Sequence, residues 1–314
     1  MILESGEALR DLSIHYTTYG ELNHEESNVV WIFHALTANS NPVEWWDGLV
    51  GEGFFINPEK YFIVCANMIG SCYGSSEPRN LEFPLITIRD MVSAHKLLKK
   101  HLGLKKIHIG IGGSMGGQQL LQWAVTEPDL FENLVAIATN AKHSAWGIAF
   151  NEAQRMALDQ SDPLKGLEAA RAIAMLSYRN YETFEATQND SDERIDDFSA
   201  SSYQQHQGAK LSQRFSPISY YYLSKAMDSH NVGIGKGGLA NALSKINSKA
   251  VIIGIETDIL FPLNEQELIA DNIPNSSFYA IRSLYGHDGF LLETSQISTI
   301  LKLELTRITS RTKS

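Results

Sequence analysis

Lys106-Ile107-His108-Ile109-Gly110-Ile111-Gly112-Gly113-Ser114-Met115-Gly116-Gly117-Gln118-Gln119-Leu120 is the stretch whose reading decides the fold. An alternating β-branched run ends in a Gly-x-Ser-x-Gly box, and the apolar residues Leu120, Leu121, Trp123, Ala124 and Val125 that follow favour a helix. A serine pinched between strand and helix by small residues is the pattern of a nucleophile elbow. The turn strains the serine backbone, and side chains on either side would collide with the adjoining strand and helix. Gly112, Gly113, Gly116 and Gly117 meet that demand. The turn also sets Ser114 at a helix N-terminus, where free N–H groups favour developing negative charge. The same box occurs in ordinary strand–helix turns, so the reading depends on finding a matching base and acid elsewhere.

The chain has 314 residues, enough for one large α/β domain carrying an insertion, and 43% hydrophobic content suffices for a sizeable core. A net charge of −10 and a pI near 5.5 argue against a nucleic-acid-binding surface. No run of 18 apolar residues appears, and Met1-Ile2-Leu3-Glu4-Ser5-Gly6-Glu7 has neither a basic nor an apolar leader region. Two cysteines, Cys65 in a strand-like run and Cys72 in a loop, fit reduced thiols. The expectation is a globular cytoplasmic protein, with no membrane or nucleic-acid partner. Neither metal-ligand spacing nor a phosphate-cradling or dinucleotide loop is present, so no metal and no bound cofactor is expected. Gly233-Ile234-Gly235-Lys236-Gly237-Gly238 follows no predicted strand and reads as a hinge.

Residues 1–27 read as an N-terminal strand pair, with Leu12, Ile14 and Tyr16 alternating. Residues 28–33 and 61–66 read as buried strands of a parallel sheet, ending in polar loops at 34–40 and 70–76. Helical periodicity runs from 87 to 101, and a further strand covers 134–138. The strand–helix rhythm then stops. Residues 146–228 hold helical stretches at 166–178 and 220–227, joined by an acidic, solvated segment at 188–207. Rhythm resumes with strands at 250–254 and 277–281 and a closing helix at 292–305. The expected architecture is an α/β core of residues 1–145 and 229–314, a mostly parallel sheet wrapped by helices, with residues 146–228 inserted as a helical cap.

In an elbow-type hydrolase fold the triad partners follow in the order Ser, Asp or Glu, then His. Asp258 lies just beyond the strand at 250–254, where sites of open α/β sheets collect, and Glu256 is its local competitor. His287 follows the next strand end, within Tyr285-Gly286-His287-Asp288-Gly289. Among the 10 histidines His34 is the rival, but it precedes the serine and reads instead as part of the oxyanion loop; His143, His206 and His230 read as surface residues in or near the cap. His287 would take the Ser114 proton, and Asp258 would fix the imidazole tautomer and stabilise its cation. The N–H groups of Met115 and Leu36 are the expected oxyanion donors. These residues predict acyl transfer through an acyl-serine, without naming the acceptor.

His34-Ala35-Leu36-Thr37, Trp45-Trp46-Asp47-Gly48-Leu49, Cys72-Tyr73-Gly74-Ser75, the segment from Phe83 to Asp90, Gly112 to Gly117, and Tyr285 to Leu291 together resemble the homoserine O-acetyltransferase family. The resemblance runs from about residue 30 to residue 293. It implies an α/β-hydrolase-fold acyltransferase that moves acetyl from acetyl-CoA to the hydroxyl of L-homoserine, a step towards methionine, with Ser114, Asp258 and His287 as its triad. It further implies that Arg171, in Gly166-Leu167-Glu168-Ala169-Ala170-Arg171, and Asp288 hold the amino acid, and that the enzyme is a homodimer. A guanidinium fork suits a carboxylate, and a carboxylate suits an ammonium group. Lys210, Arg214, Lys225 and Lys236 are candidate positive charges for an anionic CoA.

Several positions depart from the family pattern: a short loop at 159–165, Ser216 where an aspartate is common, Asn231 to Gly235 without the usual Asp and Arg, and Ala38 where many members have glycine. They leave open a succinyl donor or a serine acceptor. An esterase or thioesterase with water as acceptor is the other class, and the cap arginines Arg171 and Arg179 beside Asp288 argue for a zwitterionic acceptor instead. A non-catalytic binding protein of the same fold is disfavoured because no triad member is missing.

Overall fold

A computed structural model describes residues 1–158 and 161–305. Seven strands form one sheet: β1 (Tyr16–Tyr19), β2 (Val29–Phe33), β3 (Phe62–Ala66), β4 (Ile107–Gly113), β5 (Phe131–Ile137), β6 (Lys249–Ile255) and β7 (Ser276–Ile281). Their order across the sheet is β1-β3-β2-β4-β5-β6-β7. Only the β1–β3 pairing is antiparallel; every other pair is parallel. The helices are α1 (Pro42–Trp45), α2 (Ile88–His101), α3 (Met115–Thr126), α4 (Ala145–Leu158), α5 (Pro163–Tyr178), α6 (Tyr181–Gln188), α7 (Ser199–Ser212), α8 (Pro217–Asp228), α9 (Leu239–Leu243), α10 (Leu263–Asn272), α11 (Gly289–Leu292) and α12 (Thr294–Leu305).

The central strands are buried on both faces, which is why they read as continuous apolar runs. In β2, Val29, Trp31 and Phe33 join the core on one face, and Val30 and Ile32 join the core on the other. That alternation is the two-residue period of a strand. On the first face Trp123 of α3 packs edge-on against Trp31 at 5.2 Å and Phe33 at 6.0 Å. On the second, buried Trp46 donates its indole N–H to the Phe290 carbonyl at 2.9 Å. A third apolar cluster joins core residues Leu36, Met115 and Phe261 to Leu167, Leu211, Phe215 and Tyr220 of the inserted helices.

Most sequence-based elements fall where expected. The helix read over 87–101 is α2, started by a reciprocal capping box between Thr87 and Asp90. Helices α4 to α8 all lie between β5 and β6, where the rhythm breaks. The N-terminal strand pair is not formed. Residues 16–19 make one edge strand on β3, and the chain before it contributes only an isolated bridge between Ile2 and Ala8. Gly6, at φ +87°, lies in the tight turn that this bridge closes, with the Leu3 N–H donating to the Glu7 carbonyl and the Gly6 N–H to the Leu3 carbonyl. The joining segment read over 188–207 is exposed from 191 to 197, but from Ser199 it forms helix α7 instead of a loop. Residues 159 and 160 of the short cap loop lie outside the described residues. Among those described, no helix is long and apolar enough to cross a membrane.

Because β2, β4, β6 and β7 run parallel, their C-terminal ends share one edge of the sheet. The chain passes from β2 to β3 on one side and then crosses back to β4 on the other side of β2. The crevice at that reversal is where open α/β sheets bind ligands. The ends of β2 and β4 carry Leu36 and Ser114.

Candidate active site

Ser114 follows β4 directly and has φ +54° and ψ −127°, a conformation strained for any residue with a side chain. Its surroundings hold it there. The Ser114 N–H donates to the Ile137 carbonyl at 3.0 Å, and the Thr139 hydroxyl donates to the Ser114 carbonyl at 2.7 Å. Close approach explains the glycine after Met115: a Cβ on Gly116 would run into the Phe33 carbonyl oxygen of β2. The elbow therefore presses α3 against the end of the neighbouring strand.

Asp258 stands in the turn after β6 and is 4% exposed. Its Oδ1 accepts from the Leu260 N–H at 2.8 Å and the Phe261 N–H at 2.9 Å. Its Oδ2 faces Nδ1 of His287 at 2.6 Å. Glu256, the local competitor, is exposed and faces Arg282 at 3.3 Å. His287 sits in a 3-10 turn over Gly286–Asp288 after β7. Gly286 has φ +59°, and a Cβ there would lie 3.2 Å from the Tyr178 carbonyl oxygen and from the Arg179 backbone, so glycine also lets α5 approach. Phe261 and Phe290 pack around the His287 ring with centroids at 5.1 and 5.3 Å. Its Nε2 lies 2.9 Å from Ser114 Oγ. Three residues spread over 173 positions of sequence thus form one hydrogen-bonded relay, able to take a proton from the serine and hold the imidazolium so produced.

Leu36 and Ser114 line the same cavity. Among the described residues neither the Leu36 nor the Met115 N–H donates to a protein acceptor, so both amides are free for an oxyanion. His34 is not part of the relay. Its Nδ1–H donates to the Ala35 carbonyl at 2.9 Å, and its Nε2 accepts from the Met68 N–H at 3.1 Å. Those bonds fix a neutral tautomer, and burial pushes its pKa down to about 4. His34 shapes the loop that carries Leu36. Gln119 went unnoticed in the sequence, although it stands in the decisive stretch. Its Nε2 reaches the Met115 carbonyl at 3.3 Å and the His34 carbonyl at 3.4 Å, and its Oε1 accepts from His95 at 3.0 Å. The elbow helix and the Leu36 loop are tied together from behind. Only the spatial neighbourhood of β2 and β4 reveals this.

His143 and His230 are not surface residues; each is 2% exposed, and burial lowers them to about 4 and about 3. They lie where the chain leaves the core for the inserted helices and where it returns, an internal seam that a linear reading takes for a surface. His206 is exposed.

The cavity has a volume of about 640 Å³. The insertion brings Arg171, Tyr178, Lys210 and Arg214 to the same wall as Ser114, His287 and Asp288, with the Tyr178 ring 5.7 Å from that of His287. Arg171 is half-buried, with its guanidinium over the Tyr178 ring at 5.1 Å and no carboxylate partner among the described residues. Asp288 is partnered: Arg179 Nη1 lies 2.5 Å from its Oδ2. Lys225 faces a separate surface cavity of about 530 Å³ between α4 and α8, and Lys236 lines neither. Ser216, where an aspartate is common, caps α8 by accepting from the Ser219 N–H. The exchange keeps the capping oxygen. Ala38 lines the cavity; the Asn231 turn does not. Among the described residues no group of three His, Cys, Asp or Glu side chains could hold a metal ion.

Comparison with known proteins places the chain in a family. The profile of the alpha/beta hydrolase fold family matches residues 28–294. A homoserine O-acetyltransferase of Cyclobacterium marinum is 49% identical over 319 residues, covering 96% of this chain and 91% of that protein. The crystal structure of homoserine O-acetyltransferase from Staphylococcus aureus superposes with a TM-score of 0.86 at 28% identity, over 99% of this chain and 94% of that one. The acetyl esterase MekB superposes with a TM-score of 0.86 at 26% identity, over 98% and 94%. The chain belongs to the α/β-hydrolase fold family and, within it, to the homoserine O-acetyltransferases.

Proposed function

We propose that this protein transfers an acetyl group from acetyl-CoA to the hydroxyl of L-homoserine through an acetyl-Ser114 intermediate, a step that serves methionine synthesis. The observation that carries the reading is the relay from Asp258 through His287 to Ser114, opening on a cavity that Arg171, without a carboxylate partner among the described residues, also lines. His287 takes the Ser114 proton as Oγ attacks the thioester carbonyl, and the Leu36 and Met115 amides receive the oxyanion. Collapse expels CoA thiolate, which leaves with the proton from His287. In the second half His287 deprotonates the homoserine hydroxyl, which attacks the acetyl-serine and restores Ser114. Arg171 holds the acceptor's carboxylate, and Asp288, steadied by Arg179, faces its ammonium. No resident cofactor or metal takes part; acetyl-CoA is a co-substrate.

Residues 146–228 act in this reading as a cap over a core formed by 1–145 and 229–314. Free cysteines support a cytoplasmic setting, and the exposed apolar side chains of Met156, Leu164 and Leu176 on the cap support a homodimer, which sedimentation velocity tests. Hydrolysis is the second reading, favoured by the likeness to an acetyl esterase. Thiol release from acetyl-CoA, measured with and without L-homoserine and with succinyl-CoA and L-serine alongside, separates them. Release that requires homoserine and acetyl-CoA is expected; release indifferent to every amino acid would establish water as the acceptor.

A further inference from the structure

Acetyl-CoA presents two chemistries far apart on one molecule: an acyl thioester, and a nucleotide end bearing phosphates. The relay accounts for the first. In a chain of net charge −10 the second requires local positive charge. Three cations on the wall of the Ser114 cavity lack a carboxylate partner among the described residues: Arg171, Lys210 and Arg214. The acids on that wall are Asp288, already paired with Arg179, and Glu44. Arg171 is taken up by the acceptor in the proposed function.

Arg214 is held without being neutralised. Its Nη1 donates to the Thr37 carbonyl at 2.6 Å and to the Tyr73 hydroxyl at 2.8 Å, both uncharged acceptors. Nε and Nη2 have no protein acceptor among the described residues, which leaves a fixed fork with its charge intact. Such a group matches phosphate geometry and loses little freedom on binding. Lys210, in the last turn of α7, lines the same cavity as Arg214, which follows the C-cap of that helix. We propose that Lys210 and Arg214 form the subsite for the phosphates of the acyl donor's CoA nucleotide, and that Lys225 and Lys236, off the cavity, take no part. This rests on acetyl-CoA being the donor.

The test compares acetyl-CoA with S-acetylpantetheine, which keeps the thioester and pantetheine arm but has no phosphate. Lys210→Gln and Arg214→Gln are each expected to raise the acetyl-CoA KM about tenfold, as loss of a charge-assisted hydrogen bond does. The double variant should raise it further. The S-acetylpantetheine KM should stay unchanged in all three, and Lys225→Gln should alter neither donor. An unchanged acetyl-CoA KM in the double variant overturns the subsite. So does a parallel loss of kcat with both donors, which would reduce Arg214 to a clamp on the Thr37 loop. If wild-type protein shows no homoserine-dependent thiol release, the proposed function fails separately. CoA binding by equilibrium dialysis then decides the subsite: weaker binding in the double variant supports it, and equal binding overturns it.

Discussion

On the sheet side of the cavity Ser114, Asp258 and His287 are each pinned by several fixed partners: the Ile137 carbonyl and Thr139 hydroxyl on the Ser114 backbone, the Leu260 and Phe261 amides, and the packed rings of Phe261 and Phe290. On the side contributed by the insertion, Arg171 rests on one tyrosine ring, Lys210 has no ion-pair partner among the described residues, and Arg214 is held by two neutral oxygens. The contrast separates two tasks. Proton relay tolerates little displacement, so its groups sit on strand ends and buried turns. In the proposed function, recognition of charged substrates needs uncompensated charge, and the groups assigned to it sit on the insertion.

Ser114→Ala breaks this division at its rigid end. Turnover is expected to fall by about a thousandfold or more while the unfolding midpoint changes little, because alanine keeps the same backbone and Cβ and only one hydroxyl is removed. Steady-state kinetics beside urea unfolding checks both parts. Arg171→Leu acts on the insertion side. The homoserine KM should rise about ten- to a hundredfold, as for a lost charge-assisted contact. The rate of enzyme acetylation by acetyl-CoA should be unaffected, and stopped-flow measurement of the first thiol release separates the two. Equal damage to both half-reactions would remove the distinction between the two sides.

Acid probes the buried histidines behind the elbow and along the seam between the regions. Burial holds His34, His95 and His143 at about 4 and His230 at about 3, against an ordinary value of 6.5. Below pH 6.5 the unfolded chain binds protons that the folded chain excludes. The stabilisation is therefore complete above 6.5 and is lost as pH falls towards 4. Urea midpoints measured from pH 7 to pH 4 should decline through that window, and a flat profile would contradict the burial of these rings. The smallest effect is expected at the start of α8. Ser216→Ala should cost about 1 kcal/mol, and Ser216→Asp should be nearly neutral in stability and in the homoserine KM. A changed KM for Ser216→Asp would make that position a determinant of specificity.

The rigid half was legible in the sequence and the adaptable half only in outline, for a physical reason. An elbow is local: strand, glycines, serine and helix adjoin, and the order of acid and base follows from parallel strands ending at one edge. Asp258 prevails over Glu256 because the chain turns back on it within three residues. The cap side depends on contacts between distant segments. That Asp288 meets Arg179, that Lys210 and Arg214 face the serine while Lys225 faces away, and that Gln119 ties Met115 to the His34 loop are consequences of packing rather than of spacing. His143 and His230 misled for the same reason, since a seam between core and insertion looks like a surface until both sides are in place.

The most direct test is intact-mass analysis of the protein mixed with acetyl-CoA, first without acceptor and then after addition of L-homoserine. The account predicts a mass gain of one acetyl group, mapped to the Ser114 peptide, absent from Ser114→Ala, and discharged by L-homoserine with formation of O-acetylhomoserine. An acetyl group on any other residue, or an acetyl-Ser114 that water clears as fast as homoserine does, would contradict it.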